Sequence, residues 1–242
     1  MTSLNLERPS SPSSSINPPQ EVTEKKNPPP EASHFQHTPN YCEENVYLLC
    51  KKLCEDSLAA DSDGSDLFVV FISNEKKQIP LWNQKASQRA DGVILWDYHV
   101  ICIQKRKDEN SSSMVWDLDS SLQFPCPLAT YIAETIRPSF KLFSDFQRFF
   151  RIVHAPLFLQ YFASDRRHMK DPAGNWVSEP PSYEAIVAKD GTVHNVNEYM
   201  DLSSAELLKN LEADELSAVF TQKLGVVVSE SQLEDFFSKI SH

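Results

Sequence analysis

The chain has 242 residues, 40% of them hydrophobic, which suits one sizeable domain plus a tail. Acidic residues number 34 against 23 basic ones, a formal net charge of −11, and this argues against general binding to nucleic acid or anionic membranes. The five cysteines include no CxxC pair, which argues against a zinc ribbon or a disulfide framework and for a reducing compartment.

Residues 1–38 read as a disordered tail, since half of the sixteen prolines fall by position 39 among serine runs. The tail has neither the basic start and apolar core of a secretory signal nor the composition of a transit peptide. Residues 39–242 are expected to form a single domain. Its first helix carries Val46, Leu49, Cys50 and Leu53 on one face. Stepping back one turn places Cys42 at the helix start, on the inward side. Unpaired N–H groups and the helix dipole there are expected to lower a thiol pKa and favour the nucleophilic thiolate. A buried cysteine at that position can equally be a small core hydrophobe.

An acidic loop leads to Leu67–Ile72, a buried strand and the longest apolar run, too short to span a membrane. Ile79–Trp82 reads as a short edge strand because of Pro80. Val93–Gln104 reads as one long strand, Lys105–Ser113 as a hairpin loop and Met114–Asp119 as the returning strand. Leu128–Ile136 reads as a helix, Asp145–Val153 as a strand and Pro156–Phe162 as a helix with proline at its start. His168 follows in a charged loop and is expected to face solvent. Ser203–Leu211 reads as a helix, Gly225–Val228 as a strand, and Ser229 or Ser231 caps a last helix with Leu233, Phe236, Phe237 and Ile240. With five glycines, a phosphate-binding loop has little to be built from.

Side chains alternate along a strand, so Asp97 shares a face with His99, and Asp117 with Asp119. If the hairpin pairs odd with odd positions, all four point the same way. An imidazole and an acid in apolar strands are costly unless they pair. Cys42 on a helix start, His99 on a strand and Asp117 on the next strand form the order of a thiol triad: nucleophile, base and orienting acid. A structural His–Asp pair accounts for the last two as well.

The segments Tyr41-Cys42-Glu43-Glu44-Asn45, Phe71-Ile72-Ser73-Asn74-Glu75, Trp96-Asp97-Tyr98-His99-Val100, Asp117-Leu118-Asp119, Phe124-Pro125-Cys126 and Phe162-Ala163-Ser164-Asp165-Arg166 resemble the protein N-terminal glutamine amidohydrolase family. The likeness runs in order from about residue 40 to Trp176 and more weakly beyond. It places the family's cysteine, histidine and aspartate on Cys42, His99 and Asp117. The resemblance implies an α+β, papain- or transglutaminase-like fold with an antiparallel sheet packed on helices. It also implies a monomeric cytoplasmic and nuclear enzyme that deamidates N-terminal glutamine in the N-degron pathway. The implied partners are glutamine-initiated proteins and the arginyl-transferase and ubiquitin-ligase components downstream, with no metal or organic cofactor, nucleic acid or membrane. The substrate's α-ammonium needs an acid, and Asp119 or Asp97 would serve. Two other readings fit the residues: another thiol enzyme, such as a peptidase or transamidase, and a non-catalytic acidic interaction module.

Overall fold

The computed structural model describes residues 30–106 and 112–240. Six strands make one antiparallel sheet, β1 (Leu67–Ser73), β4 (His99–Gln104), β5 (Met114–Trp116), β6 (Cys126–Pro127), β7 (Phe149–His154) and β8 (Val226–Ser229), in the order β6-β5-β4-β1-β7-β8. A second sheet pairs β2 (Ile79–Leu81) with β3 (Ile94–Trp96). The helices are α1 (Cys42–Glu55), α2 (Leu128–Tyr131, continued as a wider turn to Ile136), α3 (Ala155–Tyr161), α4 (Val196–Met200), α5 (Ala213–Ser217) and α6 (Leu233–Lys239). The chain is thus α+β, as expected. No helix among the described residues is long and apolar enough to cross a membrane.

β1 is apolar from Leu67 to Ile72 because it is central and both its faces are covered. Val69 and Phe71 meet Val46, Leu49, Cys50 and Leu53 of α1 and Phe158 of α3. Phe68, Val70 and Ile72 meet the opposite layer, which includes Tyr131, Leu233, Phe236 and Phe237. Each fully buried Leu or Phe contributes about 1.5–3 kcal/mol by its removal from water, so the two layers hold the sheet from both sides. The close β7–β8 approach requires Gly225: at φ +63, a Cβ there would lie 1.9 Å from the Ile152 carbonyl oxygen.

The expected long strand over 93–104 is two strands. The Asp97 carboxylate accepts the Tyr98 N–H at 2.9 Å, and the chain bends there from the small sheet into the large one. The expected odd-to-odd pairing does hold, as in Ile103 against Val115, but β5 stops at Trp116, so Asp117 and Asp119 lie in the turn beyond the last rung. The expected helix over Ser203–Leu211 is only a turn at Ser204–Glu206. Its backbone is drawn to the sheet edge instead, where Leu207 bridges Val227 and the Leu208 N–H donates to the Val227 carbonyl at 2.9 Å. The Glu206 side chain is held by Arg151.

The boundary expected at residue 38 lies too late. Residues 1–29 are outside the described residues, but Phe35 is buried against Trp116 and Phe124, with ring centroids 5.9 and 5.6 Å away. His37 reaches across to Asp119 at 2.7 Å. Composition marked this stretch as tail because two anchoring side chains hardly change its average. Phe35→Ala should therefore lower the free energy of unfolding by about 3 kcal/mol, the lower end for a buried phenylalanine. Urea denaturation checks this; a loss below about 0.5 kcal/mol would mean that the segment does not hold the domain.

Candidate active site

The start of α1 is built residue by residue from its sequence. Asn40 takes φ 67, a left-handed turn that asparagine tolerates, and its Nδ2 donates to Ser178 Oγ at 3.1 Å. Tyr41 is buried and its hydroxyl donates to the Ser178 carbonyl at 3.1 Å. Asn45 takes the Thr38 N–H on Oδ1 and donates from Nδ2 to the Thr38 carbonyl, each at 2.8 Å. Glu44, fully buried, holds the Arg166 guanidinium at 3.0–3.2 Å. Arg166 also donates to the carbonyls of Pro181 and Glu184. Through this ion pair the helix start is tied to the loop that carries His168, Met169, Val177 and Ser178. Cys42 lies between these ties as the first helical residue, where the first N–H groups have no acceptor inside the helix.

The backbone N–H of Val100 favours the Cys42 anion, which puts the thiol beside β4 one residue past His99. His99 is fully buried, and its Nε2 pairs with Asp117 Oδ1 at 3.0 Å. With the carboxylate as acceptor, Nε2 carries the proton and Nδ1 is left to accept one; that nitrogen is buried and has no hydrogen-bond partner. Trp96 stacks on the imidazole, with centroids 5.4 Å apart and planes 19° from parallel. Asp117 also accepts the Tyr131 hydroxyl at 2.8 Å and the Asp119 N–H at 3.0 Å. Burial opposes charge on both partners. It is outweighed on each side: Asp117, with Asp119, raises the imidazole above its ordinary value, and His99 with the two other donors holds Asp117 below its own.

The thiol departs from the sequence expectation. Burial pushes Cys42 well above an ordinary thiol, Glu43, Asp119 and Asp97 push it further, and the Val100 N–H does not offset them. The helix start alone does not make a thiolate here. A cleft of about 410 Å³ opens beside the sulfur, lined by Asn40, Cys42, Trp96, Asp97, Tyr98, Asp119, His168, Met169, Val177 and Ser178. Asp97 is exposed on it, while Asp119 is mostly covered and paired with His37. His99, Asp117 and Asp119 offer three ligand atoms within 4.8 Å of one another. The His99–Asp117 and Asp119–His37 hydrogen bonds engage one side-chain atom of each.

A model of the N-terminal glutamine amidase family matches residues 37–237. A protein N-terminal glutamine amidohydrolase of Arabidopsis thaliana is 64% identical over 210 residues, covering 87% of this chain and 95% of that one. A rice (Oryza sativa subsp. indica) protein of the same name is 55% identical over 87% of this chain and 90% of its own length. One from Bos taurus is 39% identical over 67% and 75%. The chain belongs to the N-terminal glutamine amidase family. It is therefore an amidase, an enzyme that hydrolyses an amide C–N bond.

The family match begins just where His37 reaches Asp119. Sequence reading placed His168 in solvent, but the imidazole is buried and its Nε2 lies 3.3 Å from Glu43 Oε1. A local run of charges does not reveal that one of its members turns inward. Reading the residues also missed Glu43, fully buried with Tyr98 hydroxyl donating to Oε2 at 2.9 Å, and Tyr131 behind Asp117. The one available signal was that Tyr98 adjoins His99 in the sequence. Asp117→Asn should lower the titration midpoint of His99, because burial would then act against little more than Asp119. NMR titration of the ring reads this; an unmoved midpoint would show that Asp117 is not what holds the proton on His99.

Proposed function

We propose that this enzyme converts the side-chain amide of an N-terminal glutamine, on proteins and peptides, to glutamate with release of ammonia. The names of the relatives support the reaction, and the charge of the cleft supports the substrate. Asp97 and Asp119 line it, Glu43 lies beside the sulfur, and no lysine or arginine is among its lining residues. Such a cleft suits a free α-ammonium beside an uncharged amide, with Asp119 or Asp97 as its anchor.

In this reading Cys42 is the nucleophile, His99 the base and Asp117 the orienting acid. His99 Nδ1 takes the proton from Sγ, and the thiolate attacks the carboxamide carbon. The carbonyl electrons move to oxygen, where N–H groups at the start of α1, Cys42's among them, would stabilise the charge. Collapse expels ammonia with the proton returned by the imidazolium and leaves a thioester. Water, deprotonated by His99, attacks the thioester, and the Cys42 thiolate leaves and regains a proton. No cofactor enters these steps. We read the fold as papain- or transglutaminase-like, on the support of a cysteine at a helix start packed across from a histidine strand. The same proposal, resting on the resemblance, makes the enzyme a monomer of cytoplasm and nucleus. Its product is the acceptor for an arginyl-transferase in the N-degron route.

Four peptides test the reading, with ammonia release and mass spectrometry as readouts. A glutamine-initiated peptide should release ammonia and gain one dalton. The same peptide acetylated at its N-terminus, or with glutamine internal, should be inert. An asparagine-initiated one should be about a hundredfold slower, since its carbonyl is misplaced by on the order of 1 Å. Cys42→Ala should abolish turnover with the fold intact. Comparable deamidation of internal glutamine would instead indicate a transamidase-like enzyme, backbone cleavage a peptidase, and silence on all four an interaction module.

A further inference from the structure

Cys42 sits among acids that the chain neutralises only in part. Glu43 Oε2 lies 3.8 Å from Sγ. Its other oxygen, Oε1, is buried without a hydrogen bond, with His168 Nε2 3.3 Å away. Asp97 and Asp119 come to the same cleft from beyond β3 and β5. The other titratable groups lining it are Tyr98, whose hydroxyl bonds Glu43, and His168, 3.4 Å from that hydroxyl; His99 lies buried behind, its Nδ1 unpartnered. The nearby strong cation, Arg166, is taken up by Glu44, and His37 by Asp119. A buried carboxylate oxygen without a donor, beside a sulfur that must become an anion, leaves the empty site short of positive charge.

Resting on the reading that the substrate brings a free α-ammonium, we propose that Glu43, Asp97 and Asp119 form an electrostatic gate over Cys42 which that ammonium opens. Seated against these carboxylates, the cation completes the charge balance that lets the Sγ–H proton pass to His99 Nδ1. The empty enzyme keeps a protonated and unreactive thiol; the bound N-terminus switches it on. Burial of Cys42 and the repulsion of the three acids on its anion point the same way. Glu43 is then a positioning residue that acts through the cysteine. A blocked or internal glutamine would fail in turnover even at saturation, where a simple anchor would fail only in affinity.

The gate has a test that needs no substrate. Iodoacetamide labelling of the full-length protein, followed across pH and resolved to Cys42 by peptide mass spectrometry, compares wild type with Glu43→Gln and Asp119→Asn. Removing one acid should lower the labelling midpoint by about one pH unit, so that Cys42 is labelled about tenfold faster at neutral pH. Asp119, at the cleft surface, keeps the test open if Glu43→Gln does not fold. Unchanged midpoints in the folded variants would overturn the gate. The second arm uses the wild type on a glutamine-initiated peptide and on its analogue with 4-carbamoylbutanoyl as the first group, which lacks only the α-amine. The gate predicts a kcat at least about tenfold lower for the analogue, partly restored by added methylammonium. A higher KM with unchanged kcat would contradict it. No ammonia from the glutamine peptide itself would sink the substrate reading, with the labelling arm still deciding the gate.

Discussion

A carboxylate and an imidazole buried against each other, Asp117 and His99, are the constraint around which the site is arranged. Neither charge could be buried alone at an acceptable cost. Asp117 is satisfied by three donors from three parts of the chain: His99 at the start of β4, Tyr131 at the end of α2 and the N–H of Asp119 in its own turn. Removing any of them leaves a buried charge short of a partner, which is generally worse than never having the pair. So the end of the hairpin, α2 and the turn past β5 are fixed together. His99 is held with one nitrogen committed, and Trp96 covers one face of its ring.

The second fixed point is the Glu44–Arg166 pair, which ties the helix of Cys42 to the opposite wall of the cleft. One residue on, Asn45 fastens the approach to that helix through Thr38. The sulfur is thereby placed beside Val100 without depending on any charge of its own. In many thiol sites the helix start does part of the ionising. Here burial and the surrounding carboxylates work against it, and in the proposed mechanism forming the anion falls to His99 and to the cation that enters the cleft. A site that is poorly nucleophilic when empty and acidic at its mouth discriminates by charge before it discriminates by shape.

Much of this was legible in the sequence because it follows from local pattern. The period of α1 placed Cys42 on its inward side, Leu67–Ile72 read as a central strand, and alternation with odd pairing brought His99 and Asp117 together. What was not legible depends on partners far along the chain. Glu43 and His168 are 125 residues apart, and neither has an apolar pattern that marks it as buried. The break at Asp97 comes from one side chain accepting the next N–H, and the loss of the Ser203–Leu211 helix comes from a pairing with Val227 that propensity does not see. The direction of the thiol's shift could not be read either. The helix end, Asp97 and Asp119 were visible in the sequence, but the depth of burial and the third acid, Glu43, were not.

The central claim is that Cys42 carries the substrate as a thioester. The direct measurement is an acid quench of the enzyme during turnover of a glutamine-initiated peptide, followed by mass spectrometry of the intact and digested protein. The account predicts an adduct equal to the peptide less ammonia, borne on Cys42 and absent when the peptide's N-terminus is acetylated. Undiminished turnover by Cys42→Ala, or an adduct on another residue, would contradict it.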